Sequence, residues 1–199
     1  MATDDDPTRH YMKHSSIRNI LKQVIPILII TLASSMLAGF ILVGMRHSLE
    51  ILPGLLVMIP GLLATRGNIY GVFGSRLATG LHLGIVEPRF SRNRNLLNIM
   101  LATIINSAVI SIVIALFAYL ALLLFANTIT PLWALMLISF SSGMISGVIL
   151  LVIVSIFDFL GFRKGLDPDN IHGPVATVSG DIFGVLALFI SAEMVMSLL

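Results

Sequence analysis

Long apolar stretches alternate with short polar ones along the chain. Five stretches reach the roughly 20 residues that a membrane-spanning helix needs, and they lie at about Ile25–Met45, Leu52–Leu83, Leu96–Ala126, Leu132–Phe157 and Gly173–Leu199. The pattern predicts an all-α, multi-pass integral protein of the cell membrane with five transmembrane helices, spans one to five. No polar, small-residue cleavage region follows the first stretch, which is therefore interpreted as span one and not as a removable signal peptide.

A polar leader, residues 1–19, precedes the apolar region. It holds three consecutive aspartates and then a basic, His-containing stretch, a composition that predicts disorder up to the start of the first helix. Residues 20–199 are predicted to form one five-helix transmembrane domain.

Lysine and arginine are distributed unevenly between the two ends of the predicted spans. The N-terminal side and the loops after spans two and four hold Arg9, Lys13, Arg18, Lys22, Arg89, Arg92, Arg94, Arg163 and Lys164. The opposite side holds only Arg46. Because cytoplasmic segments carry the excess of positive residues, the N-terminus is predicted to be cytoplasmic and the C-terminus to lie outside.

The composition excludes several classes of protein. The 199 residues are 57% hydrophobic and 11% charged, and the mean hydropathy is +1.00, far from a soluble domain. The formal net charge of +2 does not indicate nucleic-acid binding. The absence of cysteine excludes disulfides, thiolate metal sites and thiol nucleophiles. No hydrolase elbow, metalloprotease motif or phosphate-binding loop occurs, so no enzyme is predicted.

Among enzymes, the alternative to consider is an intramembrane aspartyl protease. It would require two carboxylates that share a proton, and Asp158 and Asp181 are the available pair. The Gly-X-Gly-Asp pattern is incomplete, and Asp158 is predicted to lie solvated at the cytoplasmic surface. This interpretation is therefore not favoured.

Span two is unusually long. Its roughly 32 residues would extend about 48 Å against a hydrocarbon core of about 30 Å, so it must tilt, project or break, and Pro60-Gly61 offers a break. Small residues recur on one face at Gly67, Gly71, Gly74 and Ala78, which favours either close helix packing or the lining of a pore. A similar set in span four, for which packing is favoured, comprises Ser139, Ser142, Gly143, Ser146 and Gly147.

Ionisable residues inside a bilayer are costly and are the first candidates for function. Four lie within the predicted spans: Arg66, Arg76, Asp181 and Glu193. Arg76 and Glu193 are expected near the two interfaces. Asp181 lies about 13 Å into span five at helical rise, close to mid-membrane, and Arg66 should lie at a similar depth.

Asp181 has a polar helix face around it. Thr177 precedes it by one turn and Gly184 follows three residues later. Magnesium prefers oxygen ligands, keeps several waters and binds through one or two carboxylates, so one Asp per chain suits such a site if two chains meet. Arg66 is the alternative partner, in a structural ion pair, and Asn68 offers either an amide ligand or a neutral interhelical hydrogen bond.

A short acidic turn precedes span five. Its residues Asp167, Pro168, Asp169 and Asn170 are expected at the cytoplasmic mouth. Asp169 or Asn170 would suit the cap of the following helix. Alternatively, Asp167 and Asp169 form a vestibule that attracts divalent cations.

Several motifs in spans two and five match a known family in combination. They are Pro53-Gly54-Leu55-Leu56, Arg66-Gly67-Asn68-Ile69-Tyr70-Gly71 and Gly74-Ser75-Arg76-Leu77-Ala78-Thr79 in span two, and Asp167-Pro168-Asp169-Asn170, Gly173-Pro174 and Gly180-Asp181 around span five. From about Lys22 onward the chain resembles the membrane domain of the MgtE magnesium transporters, and still more closely solute carrier family 41.

The resemblance implies a homodimeric pore for Mg²⁺ on the two-fold axis, lined by spans two and five. Asp181 stands at the position of the Asp that both subunits offer to a hydrated ion, and Thr177 at the position one turn before it that also faces the ion. Gly67-Asn68 matches the family's Gly-Asn in span two, and Asp167-Pro168 matches its cytoplasmic Asp-Pro. A channel and a cation exchanger would need the same ligands.

Two departures from the family bear on this expectation. MgtE proteins carry regulatory domains before their membrane domain, whereas only about 20 residues precede span one here, so gating by that route is not expected. Members of solute carrier family 41 often hold two five-span units, so the second unit here would come from an identical or paralogous chain. The alternative function is a secondary transporter that couples a cation or solute to sodium or protons at Asp181.

Overall fold

The computed structural model describes residues 17–126, 130–165 and 168–198. Within these ranges the chain is helical and contains no strand, which confirms the all-α prediction. The α-helices are α1 (Ile17–Gly44), α2 (Arg46–Ile51), α3 (Gly54–His82), α4 (Arg94–Phe125), α5 (Leu132–Arg163) and α6 (His172–Met196), and a 3₁₀ turn (Pro168–Asn170) lies between α5 and α6.

Among the described residues, α3, α4, α5 and α6 are each long and apolar enough to cross a membrane. They correspond to predicted spans two to five. The helix of span one, α1, contains a shorter apolar segment, Leu28–Gly44. It already includes residues 17–19, which the sequence pattern placed in the leader; residues 1–16 lie outside the described ranges.

The short helix α2 was not predicted. It follows α1 directly and contains an exposed ion pair from Arg46 Nε to Glu50 Oε1 at 2.9 Å, one turn apart. Six residues are too few for a periodic apolar pattern to be recognised.

Of the three alternatives left open for span two, a break at Pro60-Gly61 does not occur, because α3 is continuous from Gly54 to His82. Pro60 lies in its second turn, where the missing N–H removes one hydrogen bond, while Ile59 and Leu62 on either side pack into the core. At about 1.5 Å per residue the 29 residues extend about 43 Å. The excess over a bilayer core is therefore accommodated by tilt or projection.

Helix α6 occupies the centre of the bundle, where it packs against α5, α3 and α1, and α3 also packs against α4 and α5. Small residues of α5 allow the close approaches: a Cβ added to Gly143 would overlap the Ser111 hydroxyl, and one added to Gly147 would lie 2.5 Å from the Tyr70 hydroxyl oxygen. The packing role favoured for the small residues of span four is confirmed.

A layer of buried polar residues divides the apolar core into two clusters. On α3 one cluster ends at Leu62, whereas the other begins near Tyr70 and continues toward the His82 end. On α5 the corresponding residues are Ile138 and Leu150. The buried polar residues at the intervening level are Arg66, Ser107, Ser111, Ser139, Ser142, Ser146 and Ser179. The polar layer places hydrogen-bonding groups at mid-height of the bundle.

Candidate cation site

Asp181 lies at the level of the polar layer and is held by α1. It is the tenth residue of the 25-residue α6, and its Oδ2 accepts a 2.6 Å hydrogen bond from Ser35 Oγ. The neighbouring Ser34 Oγ donates to the Val178 carbonyl oxygen at 3.0 Å. Sequence reasoning missed Ser35, although two consecutive serines within an apolar span are an available signal.

Thr177 and Gly67 lie next to each other, beside the carboxylate of Asp181. Thr177 Oγ1 donates to the Gly173 carbonyl oxygen within its own helix at 3.0 Å, which leaves the lone pairs of the hydroxyl oxygen available. A Cβ added to Gly67 would lie 3.8 Å from that oxygen. Because Gly67 carries no side chain, Thr177 remains exposed, and the structure brings these predicted residues together with Asp181.

Asn68 adds an exposed polar side chain on α3, next to Gly67. The interhelical hydrogen bond considered for it is not formed with any residue that the structure describes. Gly71, one turn further, is half-buried with open space beside it. Asn68, Thr177 and part of Asp181 are thus accessible at a depth where lipid would otherwise surround the helices.

Arg66 does not pair with Asp181. Its Nη2 donates to Ser142 Oγ at 2.5 Å, and Nε and Nη1 are buried without a partner among the described residues. The prediction of equal depth is right, because a Cβ added to Gly180 would lie 3.7 Å from Arg66 Cβ. The guanidinium occupies the space left by Gly184, and Asp181 is directed about 60° away from Gly184 around α6.

The face of small residues on α3 is divided between two environments. Gly74 and Ala78 are buried within the chain, and a Cβ added to Gly74 would overlap the side chain of His172 at the start of α6. Gly67 and Gly71 remain half-exposed. The face is therefore not one continuous exposed surface.

The acidic turn before α6 is described only in part. Asp167 lies outside the described residues, and Asp169 is exposed within the 3₁₀ turn. Ile171 occupies the N-cap position of α6, the position that was expected for Asp169 or Asn170.

The environment of Asp158 differs from the predicted one. It is fully buried, and both carboxylate oxygens lack a hydrogen-bond partner among the described residues. The prediction that it lies solvated is wrong because α5 continues past it to Arg163 and the 3₁₀ turn packs against α5.

In the part of the chain that the structure describes, no three His, Asp or Glu side chains cluster to hold a metal ion. At mid-height the described residues offer the carboxylate of Asp181, supplemented by hydroxyl and amide oxygens. Such a set suits an ion that retains most of its waters.

Comparison with known proteins identifies relatives. Residues 59–191 match the family MgtE, described as divalent cation transporter. The chain is 26% identical to solute carrier family 41 member 3 of Rattus norvegicus, over 90% of this chain and 40% of the relative, and 22% identical to solute carrier family 41 member 2 of Xenopus laevis, over 88% of this chain and 32% of the relative. The chain spans less than half the length of these relatives, and no solved structure matches it.

Proposed function

Because the chain belongs to the MgtE family of divalent cation transporters, we propose that it moves Mg²⁺ across the membrane through a channel-like pore at a dimer axis. Members of this family are transporters and not enzymes, and the apolar helices make this chain a multi-pass membrane protein. In the proposal α3 and α6 of two copies line the pore, and Asp181 from each copy holds the hydrated ion.

The observation that carries this proposal is the accessible carboxylate of Asp181 at mid-height. Arg66 donates to Ser142, so no ion pair with a described residue neutralises the carboxylate. Even at the dielectric constant of water, a unit charge about 4.5 Å from a divalent ion contributes about 2 kcal/mol. Two copies would double this attraction, while Mg²⁺ keeps the waters that the sparse protein ligands do not replace.

A second copy of the chain explains why polar groups face outward at this depth. Exposed amide and carboxylate groups in hydrocarbon are costly, and pairing the surface around Asn68, Thr177 and Asp181 across a two-fold axis would enclose it around water and the ion. Gly71 has nothing within 4 Å of an added Cβ, so a partner helix can approach closely there. An identical chain is the simplest partner, and a paralogous chain would provide the same geometry.

The remaining predicted ligands have secondary roles in this proposal. Gly67 keeps the pore wall open beside Thr177, and Asn68 offers an amide oxygen. The exposed Asp169, and with it the predicted Asp167, would supply negative charge that attracts divalent cations through screened electrostatic fields.

Magnesium flux in liposomes that contain only this protein tests the proposal. Asp181→Asn keeps the size of the side chain and an acceptor for Ser35, and it removes the charge. We expect at least about a ten-fold loss of Mg²⁺ flux, from the charge–ion energy above, with the dimer intact. Ser35→Ala should reduce flux less, because it frees the carboxylate without removing it.

Glu193→Gln is the matched control. Glu193 lies on the same helix and accepts a 2.7 Å bond from Ser48 Oγ, so the substitution makes the same chemical change away from mid-height. Wild-type flux in a stable Asp181→Asn dimer, or equal losses in both variants, would rule out the assigned role of Asp181. Measuring flux with and without sodium at a fixed membrane potential distinguishes a channel from a sodium-coupled exchanger.

A further inference from the structure

A polar groove lies between α3 and α4, toward the His82 end of the bundle. Two neighbouring cavities of about 240 and 320 Å³ form it, and Arg76 and Ile99 line both of them. The polar side chains that line the groove, besides Arg76, are Thr79, Asn95, Asn98, Thr103 and Asn106. This groove contributes nothing to the proposed pore.

The groove has the electrostatic character of an anion site. Arg76 is exposed and forms no ion pair or hydrogen bond with a described residue, and no carboxylate lines either cavity. The hydroxyls of Thr79 and Thr103 already donate to carbonyl oxygens of their own helices, at 2.9 and 2.8 Å. The guanidinium and the side-chain amides are therefore the donors available to a ligand.

The polar end of the groove lies where a headgroup would be expected. With 29 and 32 residues, α3 and α4 extend about 43 and 48 Å. If both helices cross a 30 Å hydrocarbon core upright and centred, each end projects about 7 to 9 Å, or five to six residues, beyond it. Arg76 is six residues before the end of α3, and Asn98 is four residues after the start of α4, so this placement puts both at the boundary between hydrocarbon and headgroups.

On the mid-membrane side of Arg76 the groove combines apolar and polar side chains. Ile69, Val72, Phe73 and Ala102 line the smaller cavity together with Thr103 and Asn106. An occupant that satisfies both parts has an anionic head and an apolar chain. Positive residues at the same end, including Arg92 and Arg94, would attract anionic lipid into this leaflet.

We propose that this groove binds an anionic glycerophospholipid, with its phosphate on Arg76 and Asn98 and an acyl chain along Val72 and Ile99. The phosphate contact lies outside the surface proposed to meet the second copy, because Arg76 projects about 140° around α3 from Gly71 and about 80° from Asn68. Lipid binding is thus independent of whether the chain transports Mg²⁺.

Lipid retention by the purified full chain tests the site. Native mass spectrometry after exchange from mixed phosphatidylglycerol and phosphatidylcholine counts the bound lipids. Arg76→Gln should retain about five-fold less phosphatidylglycerol, as expected for one arginine–phosphate contact, and Arg76→Lys should retain more than Arg76→Gln. Phosphatidylglycerol should raise the melting temperature of the wild type and not of Arg76→Gln.

Arg163→Gln is the matched control, because Arg163 is an exposed arginine at the same end of the bundle and lines neither cavity. Unchanged retention in Arg76→Gln, or an equal decrease in Arg163→Gln, would overturn the proposal in favour of diffuse surface charge. Since the chain has no cysteine, Asn106→Cys provides a single thiol in the groove. Efficient disulfide cross-linking between copies at that thiol would mean that protein and not lipid covers the groove.

Discussion

Replacing Gly74 by alanine adds one methyl group where α3 contacts the first residue of α6. The added Cβ would overlap His172 Cβ and lie 2.6 Å from its Cγ. These atoms are close to the backbone of α6, so a rotamer change cannot relieve the contact. Helix α3 or α6 must shift, and we expect Gly74→Ala to destabilise the protein.

The magnitude follows from the geometry. Carbon atoms pack at about 3.5 to 4.0 Å, so the two helices must separate locally by about 1 Å. Overpacking of this kind costs about 1 to 3 kcal/mol, and the helix propensity of alanine returns up to about 1 kcal/mol. A 2.6 Å carbon contact puts the cost in the upper half of that range, so the net destabilisation should be about 1 to 2 kcal/mol.

Gly71→Ala is the matched control, one turn away on the same helix. An added Cβ there meets nothing within 4 Å, so the stability of the single chain should be unchanged or slightly higher. In the proposed dimer the same methyl group would face the partner and weaken association. Thermal unfolding in detergent reports the stability of the chain, and cross-linking in liposomes reports the dimer.

The reasoning would be refuted by the opposite pattern. If Gly74→Ala unfolds at the wild-type temperature while Gly71→Ala destabilises the isolated chain, the assignment of Gly74 to packing within the chain is incorrect. If neither variant affects stability or association, close helix approach does not depend on these glycines.

Two further predictions concern charges. Arg66→Met should raise the free energy of unfolding by about 1 to 3 kcal/mol. It removes a buried guanidinium, two of whose nitrogens have no partner among the described residues, and whose insertion costs about 2.5–3.5 kcal/mol. A lower melting temperature would mean that the guanidinium has an acceptor on another chain. Asp169→Asn should reduce Mg²⁺ flux at low ionic strength and leave it nearly unchanged near 0.15 M salt, where the Debye length is about 8 Å; a loss independent of salt would indicate a structural role for Asp169.

The amino-acid sequence determined the helices and the level of the candidate site. Backbone groups in hydrocarbon must be satisfied within a helix, so apolar stretches of about 20 residues define α3 to α6 without knowledge of their neighbours. Spacing along one helix places Thr177 and Asp181 on one face, and counting residues from the ends of the spans brings Arg66 and Asp181 to one depth. Each of these inferences needs only the geometry of a single helix.

The tertiary structure decided which way each helix faces. It directed Arg66 toward Ser142, brought Ser35 to Asp181 and enclosed Gly74 while leaving Gly71 open. The rotation of a soluble helix can be inferred from the contrast between its apolar and polar faces. A helix in lipid is apolar toward both the membrane and its neighbours, so small residues and a few hydrogen bonds set its rotation, and these depend on side chains far apart in the sequence.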